Sequence, residues 1–319
     1  MKIVLLDADT MGKDMEFSLI EKLGECVIYP NTMPQETIER IKDADVVIIN
    51  KVNLSREILS CAKKLKLICV FAIGYNNIDI DYCRENNIRV RNVPGYCVQS
   101  VCQHTFALLF SLIENIRYYD DFVKNGSYSQ SGLANHLGKP FYEIAGKKWG
   151  IIGMGAIGRA VADCATAFGA EVCYSSISGA LREEKYPAVP FEKLLSSCDI
   201  ISVHAPLNEK TMHLIGKKEL EIMKKTAVII NVGRGAVIDE MALADAINNG
   251  EIAGAGLDVY SVEPPRKDSP ILSIRNGERI VYTPHTAWSS VEARKRCIAL
   301  TAENVKAFID GEEKNDVWK

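Results

Sequence analysis

The 319-residue chain has ten cysteines but no Cys-x-x-Cys pair, no run of lysines and arginines forming a tail or a patch, and no apolar stretch near transmembrane length. Each absence closes a class of function. Without paired cysteines neither a disulfide framework nor a zinc site is indicated, and no metal is expected. The thiols sit mostly inside apolar runs such as Leu67-Ile68-Cys69-Val70, as reduced, buried cysteines do in a reducing compartment. A net charge of -3 without a basic tail leaves no electrostatic footprint for nucleic acid. The apolar stretch at Met1 to Asp7 is too short for a signal peptide, so a soluble, cytoplasmic protein without a membrane partner is expected. Low-complexity segments and solenoid-length repeats are missing too. What is present is an apolar fraction of 47% over a length sufficient for two ordinary domains.

The order of patterns along the chain suggests how those domains are laid out. Strand-like runs at Ile3 to Leu6, Cys26 to Tyr29, Val46 to Ile49 and Leu67 to Phe71 alternate with polar helical stretches, the signature of a parallel sheet wrapped by helices. Asn92-Val93-Pro94-Gly95 breaks that pattern. Ser100-Val101-Cys102-Gln103 then reads as a capping box opening a long helix, with Val101, Thr105, Leu108, Leu109, Leu112 and Ile116 keeping the helical period. A second alternation follows, with strands expected at Trp149 to Ile152, Glu171 to Tyr174, Ile200 to Val203, Val228 to Asn231, Gly254 to Leu257 and Ile280 to Tyr282. Ser289-Ser290-Val291-Glu292 reads as another capping box, opening a helical tail that ends before Gly311 and crosses back to the first unit. The expected architecture is α/β: two doubly wound parallel-sheet domains, one formed by residues 1–98 and 288–319, the other, 99–287, inserted in it. Such a layout puts the active site in a cleft between the domains.

The turn Gly153-Met154-Gly155-Ala156-Ile157-Gly158 lies between an apolar run and a helical pattern, the context of a dinucleotide cradle. The first glycine permits a tight turn, the second admits a pyrophosphate to the backbone amides, and the third lets helix and strand pack closely. Glycines also mark plain structural turns; here Ile157, Val161, Cys164 and Phe168 continue at helical spacing, which supports the cradle.

Three polar residues follow strand-like runs of the second half, where the carboxyl ends of a parallel sheet collect ligands. Arg234 follows Val228 to Gly233, and its planar fork suits a carboxylate; alone it would read as a surface arginine in a turn. Glu263 sits before two prolines that restrict its loop, although a solvated glutamate is the plainer reading. His285 follows Val281 to Pro284, and a carboxylate beside it would favour the protonated ring and make a proton donor. His104, His136, His204 and His213 warn against reading any one histidine as functional.

With these residues assembled, the chain resembles the D-isomer-specific 2-hydroxyacid dehydrogenases along nearly its whole length. The likeness rests on the glycine turn, on Leu194 to Leu207 with its Val203-His204-Ala205-Pro206, on Met223 to Thr226 running into Asn231 to Gly235, on Ala72 to Asn77, and on Thr283 to Trp288. It implies a Rossmann cofactor domain inserted in a flavodoxin-like substrate domain, and hydride transfer between a nicotinamide cofactor and a 2-oxo acid. By the same resemblance Arg234, Glu263 and His285 are the catalytic residues. Arg234 holds the substrate carboxylate, assisted by the Ile73-Gly74-Tyr75 loop and Trp288, and His285 delivers the proton under Glu263. Gly153, Gly155, Ala156, Ile157, Gly158, Ser175, His204, Ala205, Pro206, Val232, Gly233, Asp258 and His285 would border the cofactor, with Asp258 beside the carboxamide. Asn92 to Tyr96, Gln103 to Thr105 and Ser261 to Pro265 look most like the glycerate dehydrogenase and hydroxypyruvate reductase branch. The family's regulatory C-terminal domain is not expected here. The competing reading is a nucleotide-responsive corepressor of the same fold.

The family also implies a homodimer through the cofactor domain, with the segment Asp120 to Phe141 as candidate arm and Tyr118, Tyr119, Tyr128 and Phe141 either exposed there or packed locally. The residue expected to meet the ribose falls at Ser175, which carries no charge. Neither Ser176 nor Ile177 supplies the arginine of an NADP site, and Arg182 and Lys185 lie further along the loop. NAD is therefore the expected cofactor, with NADP left open.

Overall fold

Runs of valine, isoleucine and leucine become strands covered on both faces, as parallel sheets require when helices cross over on either side. The computed structural model, which describes residues 1–177, 184–312 and 316–318, divides into one unit of Met1–Cys97 with Ser289–Lys319 and another of Val98–Trp288. Each unit has its own sheet.

In the first unit β1 (Lys2–Leu5), β2 (Glu25–Ile28), β3 (Val46–Ile49), β4 (Leu67–Val70) and β5 (Arg89–Arg91) form a five-stranded sheet in the order β2-β1-β3-β4-β5. All its pairings are parallel. Every residue of β3 and β4 is buried, which explains why those runs are legible as strands. The strand β5 is not anticipated by the sequence pattern, because Arg-Val-Arg carries charge where apolar residues signal a strand. Its Arg91 is fully buried, donating from Nε to Asp316 Oδ1 at 3.0 Å and from Nη1 to the Asn304 carbonyl at 2.7 Å. The tail is thereby tied into this unit. Its helix Val291–Ile309 is capped by Ser290, whose hydroxyl accepts from the Ala293 amide at 3.2 Å. The cap stands one residue later than expected, so Glu292 is a first-turn acid and not the partner in a reciprocal box.

In the second unit β6 (Lys148–Ile152), β7 (Glu171–Ser175), β8 (Ile200–Val203), β9 (Val228–Asn231), β10 (Gly254–Leu257) and β11 (Ile280–Tyr282) run in the order β11-β10-β9-β8-β6-β7, all in parallel. Beyond β7 the edge continues as a single parallel bridge between Tyr174 and Ala188, with Tyr174 donating to the Pro187 carbonyl at 3.0 Å and accepting from Val189 at 2.8 Å. Counting that remnant, the strand order is that of the dinucleotide-binding fold, with its crevice at the ends of β6 and β8.

The long helix spans Val98–Ile113, so Ser100 lies inside its first turn and not at the cap position. Its hydroxyl donates instead to the Ala287 carbonyl at 2.6 Å. Val101, Thr105, Leu108 and Leu109 are buried as the period requires, but Ile116 is not on this face. A left-handed Asn115 (φ 52°) separates the next helix, Ile116–Lys124, where Ile116 is 57% exposed. Phe106 sets its ring 5.0 Å from Trp149 and 5.5 Å from Phe168, pinning the long helix to β6 and to the end of the glycine-turn helix Ala156–Ala167. Truncating an aromatic so placed costs about 3–5 kcal/mol.

Candidate active site

The glycine turn is shaped as a cradle, and its glycines serve different ends. Gly153 adopts φ 96°, and a side chain there would press on the Ala205 amide at 2.9 Å. Gly158 has no room because a Cβ would meet the Gly153 carbonyl at 2.3 Å, where helix and turn cross. Gly155 is the opposite case: nothing lies within 4 Å of a Cβ built on it. It precedes the helix Ala156–Ala167 and offers no side chain to its first amides, so those donors and the helix dipole remain available to an anion. Gly153, Met154 and Gly155 border a cavity of about 610 Å³ whose opposite wall includes His204, Ala205 and Pro206. This geometry fits a dinucleotide.

Ser175 stands elsewhere than expected. It ends β7 and is buried, its carbonyl accepting from the Gly153 amide at 3.1 Å; the residues beside it that reach the cavity are Ser176 and Ile177. Of the two cations considered for this end, Lys185 pairs with Asp163 at 3.2 Å, and Arg182 lies outside the described residues. Sequence reading also misses the cavity wall from Asn208 to Thr211. Thr211 Oγ1 accepts from the Asn208 amide at 2.8 Å and donates to the Pro206 carbonyl at 2.7 Å, closing this turn. The signal was present as asparagine and threonine spaced for side-chain turn bonding.

His204 lines the cavity, yet burial pushes its pKa down to about 3, so the ring is neutral. Trp149 Nε1 donates to Ser202 Oγ at 2.9 Å, and Ser202 Oγ lies 3.0 Å from His204 Nε2. Ala156, Ile157 and Gly158 wind the helix behind the cradle. Val232 is buried, and Gly233 packs where a Cβ would meet the Ala205 carbonyl at 3.1 Å.

The three catalytic candidates emerge from neighbouring strands. Because β9, β10 and β11 are parallel and adjacent, Arg234, Glu263 and His285 all follow carboxyl ends on one edge of the sheet. His285 Nδ1 and Glu263 Oε2 are 2.6 Å apart. A carboxylate only accepts, so Nδ1 carries the proton there and Nε2 is left to exchange one with a ligand. Glu263 is itself braced, its Oε1 accepting from the Tyr260 amide at 3.1 Å. The Arg234 turn is held by Asn231, whose Oδ1 accepts from Gly233 N at 3.1 Å and whose Nδ2 donates to the Arg234 carbonyl at 3.0 Å. Gly235 allows that turn to lie against Tyr260, where a Cβ would sit 1.9 Å from a backbone carbon.

Asp258, fully buried after β10, spends its carboxylate on the loop that carries His285. Oδ1 accepts from Thr283 Oγ1 at 2.6 Å and from Thr286 N at 2.8 Å, and Oδ2 accepts from Ala287 N at 2.9 Å. Ile73, Gly74 and Tyr75 belong to the first unit and Trp288 to the second. Ile73 is 36% exposed, and its carbonyl accepts from Asn92 Nδ2 at 2.7 Å. Among the described residues no group of three or more histidine, cysteine, aspartate or glutamate side chains could hold a metal ion, and no helix is long and apolar enough to cross a membrane.

Comparison with known proteins agrees with this geometry. Residues 106–287 match the family described as D-isomer specific 2-hydroxyacid dehydrogenase, NAD binding domain. A hydroxypyruvate reductase from Blautia hydrogenotrophica is 36% identical, with all of both chains covered. A glycerate dehydrogenase from Methylorubrum extorquens is 35% identical over 99% of this chain and 98% of that one. Among solved structures, an acyclic imino acid reductase in complex with NADPH and D-Arg superposes with a TM-score of 0.87 at 31% identity, covering 99% of this chain and 100% of its own. A D-lactate dehydrogenase from Aquifex aeolicus, complexed with NAD and lactic acid, superposes at 0.85 with 27% identity, covering 97% and 96%. These oxidoreductase relatives favour an enzyme over a corepressor. On fold, glycine cradle, and likeness along its full length, the chain belongs to the D-isomer-specific 2-hydroxyacid dehydrogenases, oxidoreductases that work with a nicotinamide dinucleotide.

Proposed function

We propose that the protein reduces a small 2-oxo acid, hydroxypyruvate or glyoxylate, to the D-2-hydroxy acid with NADH. The observation that carries this reading is the His285–Glu263 pair, 2.6 Å apart, on the same sheet edge as the glycine cradle. A bound reduced nicotinamide supplies the hydride that adds to C2 of the oxo acid. Arg234 grips the substrate carboxylate with its planar guanidinium, and the Ile73-Gly74-Tyr75 loop and Trp288 complete the substrate contacts. His285, held through Nδ1 by Glu263, gives its Nε2 proton to the oxygen as negative charge develops there. Glu263 keeps the ring oriented and offsets the charge of the imidazolium. Asp258 would stand beside the nicotinamide carboxamide, holding the His285 loop there. The unit Val98–Trp288 is the cofactor domain and the unit Met1–Cys97 with Ser289–Lys319 the substrate domain.

NAD is favoured over NADP because the cations near the ribose end are already paired: Lys185 with Asp163, and Arg159 Nε with Glu184 Oε2 at 2.9 Å. Initial rates on hydroxypyruvate, glyoxylate, pyruvate and bulkier 2-oxo acids, each with NADH and NADPH, test both choices. No turnover with any 2-oxo acid ends the substrate reading, and a preference for NADPH above tenfold in kcat/KM ends the cofactor one.

A homodimer through the second unit is part of the same reading. Tyr118 and Tyr119 pack locally, Tyr118 against His136 and Tyr119 by accepting from Lys139 N at 3.1 Å. Leu133, Leu137, Phe141 and Tyr142 are exposed by 64%, 88%, 55% and 67%, more apolar surface than an isolated segment ordinarily leaves to water. Light scattering after size exclusion decides it, and a monomeric mass removes the dimer. A cytoplasmic location accords with the ten free thiols, and fractionation of cells expressing the protein checks it.

A further inference from the structure

We propose that His104 is a positioning residue for His285, acting through Thr283 and Asp258; the inference rests on the dehydrogenase reading and extends it. His285 adopts φ 55°, a left-handed conformation that a side chain other than glycine holds only when its surroundings impose it. The bonds that impose it converge on Asp258. The His285 amide donates to the Asp258 carbonyl at 2.8 Å and to the Thr283 carbonyl at 3.0 Å, while the Asp258 carboxylate takes the Thr286 and Ala287 amides on the far side of the histidine. The loop from Thr283 to Ala287 is therefore wrapped on one buried carboxylate.

His104 enters from a different element, the helix Val98–Ile113. Its Nε2 lies 2.9 Å from Thr283 Oγ1 and 3.5 Å from Asp258 Oδ1, and among the described residues no lysine or arginine pairs with Asp258. Donor and acceptor counting settles the direction. Thr283 has one hydroxyl proton, and at 2.6 Å from a carboxylate oxygen it is committed to Asp258. Thr283 can then only accept from His104, so Nε2 of His104 carries the proton. The resulting relay, His104 to Thr283 to Asp258, strengthens each bond by polarising the next, and it fastens the strained loop to the long helix. Tyr260 adds a second tie, its hydroxyl donating to the Thr283 carbonyl at 2.8 Å. None of these groups touches the reacting atoms. Their effect is on where Nε2 of His285 points, and a misplacement of about 1 Å in such a group can cost about a hundredfold in rate.

The test uses the full chain carrying His104→Phe, Thr283→Val, both together, or the conservative His104→Gln and Thr283→Ser. Expected are losses of roughly tenfold or more in kcat for His104→Phe and Thr283→Val, with the NADH Kd from fluorescence titration within about twofold of the parent. The double variant should be no worse than the poorer single, because one relay is broken once. His104→Gln, which keeps an N–H donor, and Thr283→Ser, which keeps the hydroxyl, should recover most of the rate. Nitrogen-15 NMR of the unliganded protein should show His104 protonated at Nε2, and the His285 resonances should move in His104→Phe but not in His104→Gln. Wild-type kcat in His104→Phe, a parallel loss of NADH affinity, fully additive losses, or a His104 protonated at Nδ1 alone would each overturn the proposal. If the parent enzyme turns over no 2-oxo acid, the dehydrogenase reading fails by itself, and the NMR measurements still decide the relay.

Discussion

Both units are parallel sheets wrapped by helices, yet they treat the carboxyl ends of their strands in opposite ways. In the first unit those ends are closed by the chain's own side chains. Asp7, just past β1, accepts from the Asn50 amide at 2.9 Å, the Lys51 amide at 2.6 Å and the Val52 amide at 3.2 Å, while Asn77 Nδ2 donates to the Val52 carbonyl at 2.8 Å. In the second unit the matching position past β6 is the bare glycine turn, beside a cavity of about 610 Å³. One architecture thus yields two outcomes. Where a carboxylate is built in after the first strand the loops seal on it, and where glycines stand there the amides are left for a ligand's phosphate.

The contrast can be broken most sharply at the chemistry. His285→Ala removes the proposed proton donor and should lower kcat with hydroxypyruvate by about 10²- to 10⁴-fold, the usual contribution of a general acid. Thermal unfolding should stay close to the parent's, since among the described residues the ring's side-chain hydrogen bond is to Glu263 alone, at 2.6 Å. Stopped-flow rates near the parent's would place the chemistry elsewhere. The reverse separation is expected from Arg91→Met in the first unit, which leaves the buried Asp316 carboxylate with Arg89 alone and takes the guanidinium away from the Asn304 carbonyl. Breaking a buried pair from one side costs about 3–5 kcal/mol. Urea titration should show that loss with kcat per folded molecule retained, and a stability change below 1 kcal/mol would mean that the tail does not depend on Arg91.

A smaller effect tests the cradle. Gly153→Ala forces a side chain into φ 96° and onto the Ala205 amide at 2.9 Å, a strain of about 1–3 kcal/mol. NADH affinity measured by calorimetry should fall by roughly tenfold, since 1.4 kcal/mol is one decade. Unchanged affinity would show that the turn does not hold the dinucleotide.

The smallest effect concerns the seal in the first unit. Burial raises the pKa of Asp7 above its ordinary 3.8, against the opposing pull of the three amides it accepts. A carboxyl raised on folding contributes most stability below its unfolded pKa and loses that contribution as pH rises through its folded value. The difference in stability between the parent and Asp7→Asn should therefore shift against the parent as pH is raised from below 3.8 toward neutrality. A difference that is flat across this range, read by chemical denaturation at each pH, would contradict it.

Which features were legible in the residues depends on how local their physics is. The strands β3, β4, β8 and β9 announce themselves because a sheet covered on both faces needs unbroken apolar runs. The short β5 does not, since its Arg91 is made tolerable by Asp316, Asn304 and the Glu312 carbonyl, all more than 200 positions away. The helix caps depart from the local pattern for a related reason. Ser100 and Ser289 satisfy the local pattern, but Ser100 is drawn to the Ala287 carbonyl and the tail helix starts at the next serine. At the site, Arg234, Glu263 and His285 could be named from their places after strand-like runs and from the family's pattern. Asn231, Thr283 and His104 could not, because their importance lies in which atoms they meet.

The residues alone carried the two α/β units, the dinucleotide turn and the trio of polar strand ends, because periodicity, glycine sterics and strand order act over a few residues at a time. The fold decided that Ser175 turns inward and Ser176 outward, that Asp258 gathers the His285 loop, and that Nδ1 of that histidine meets Glu263. Each of these joins atoms far apart in the chain through burial or hydrogen bonding, and no local pattern encodes such a meeting.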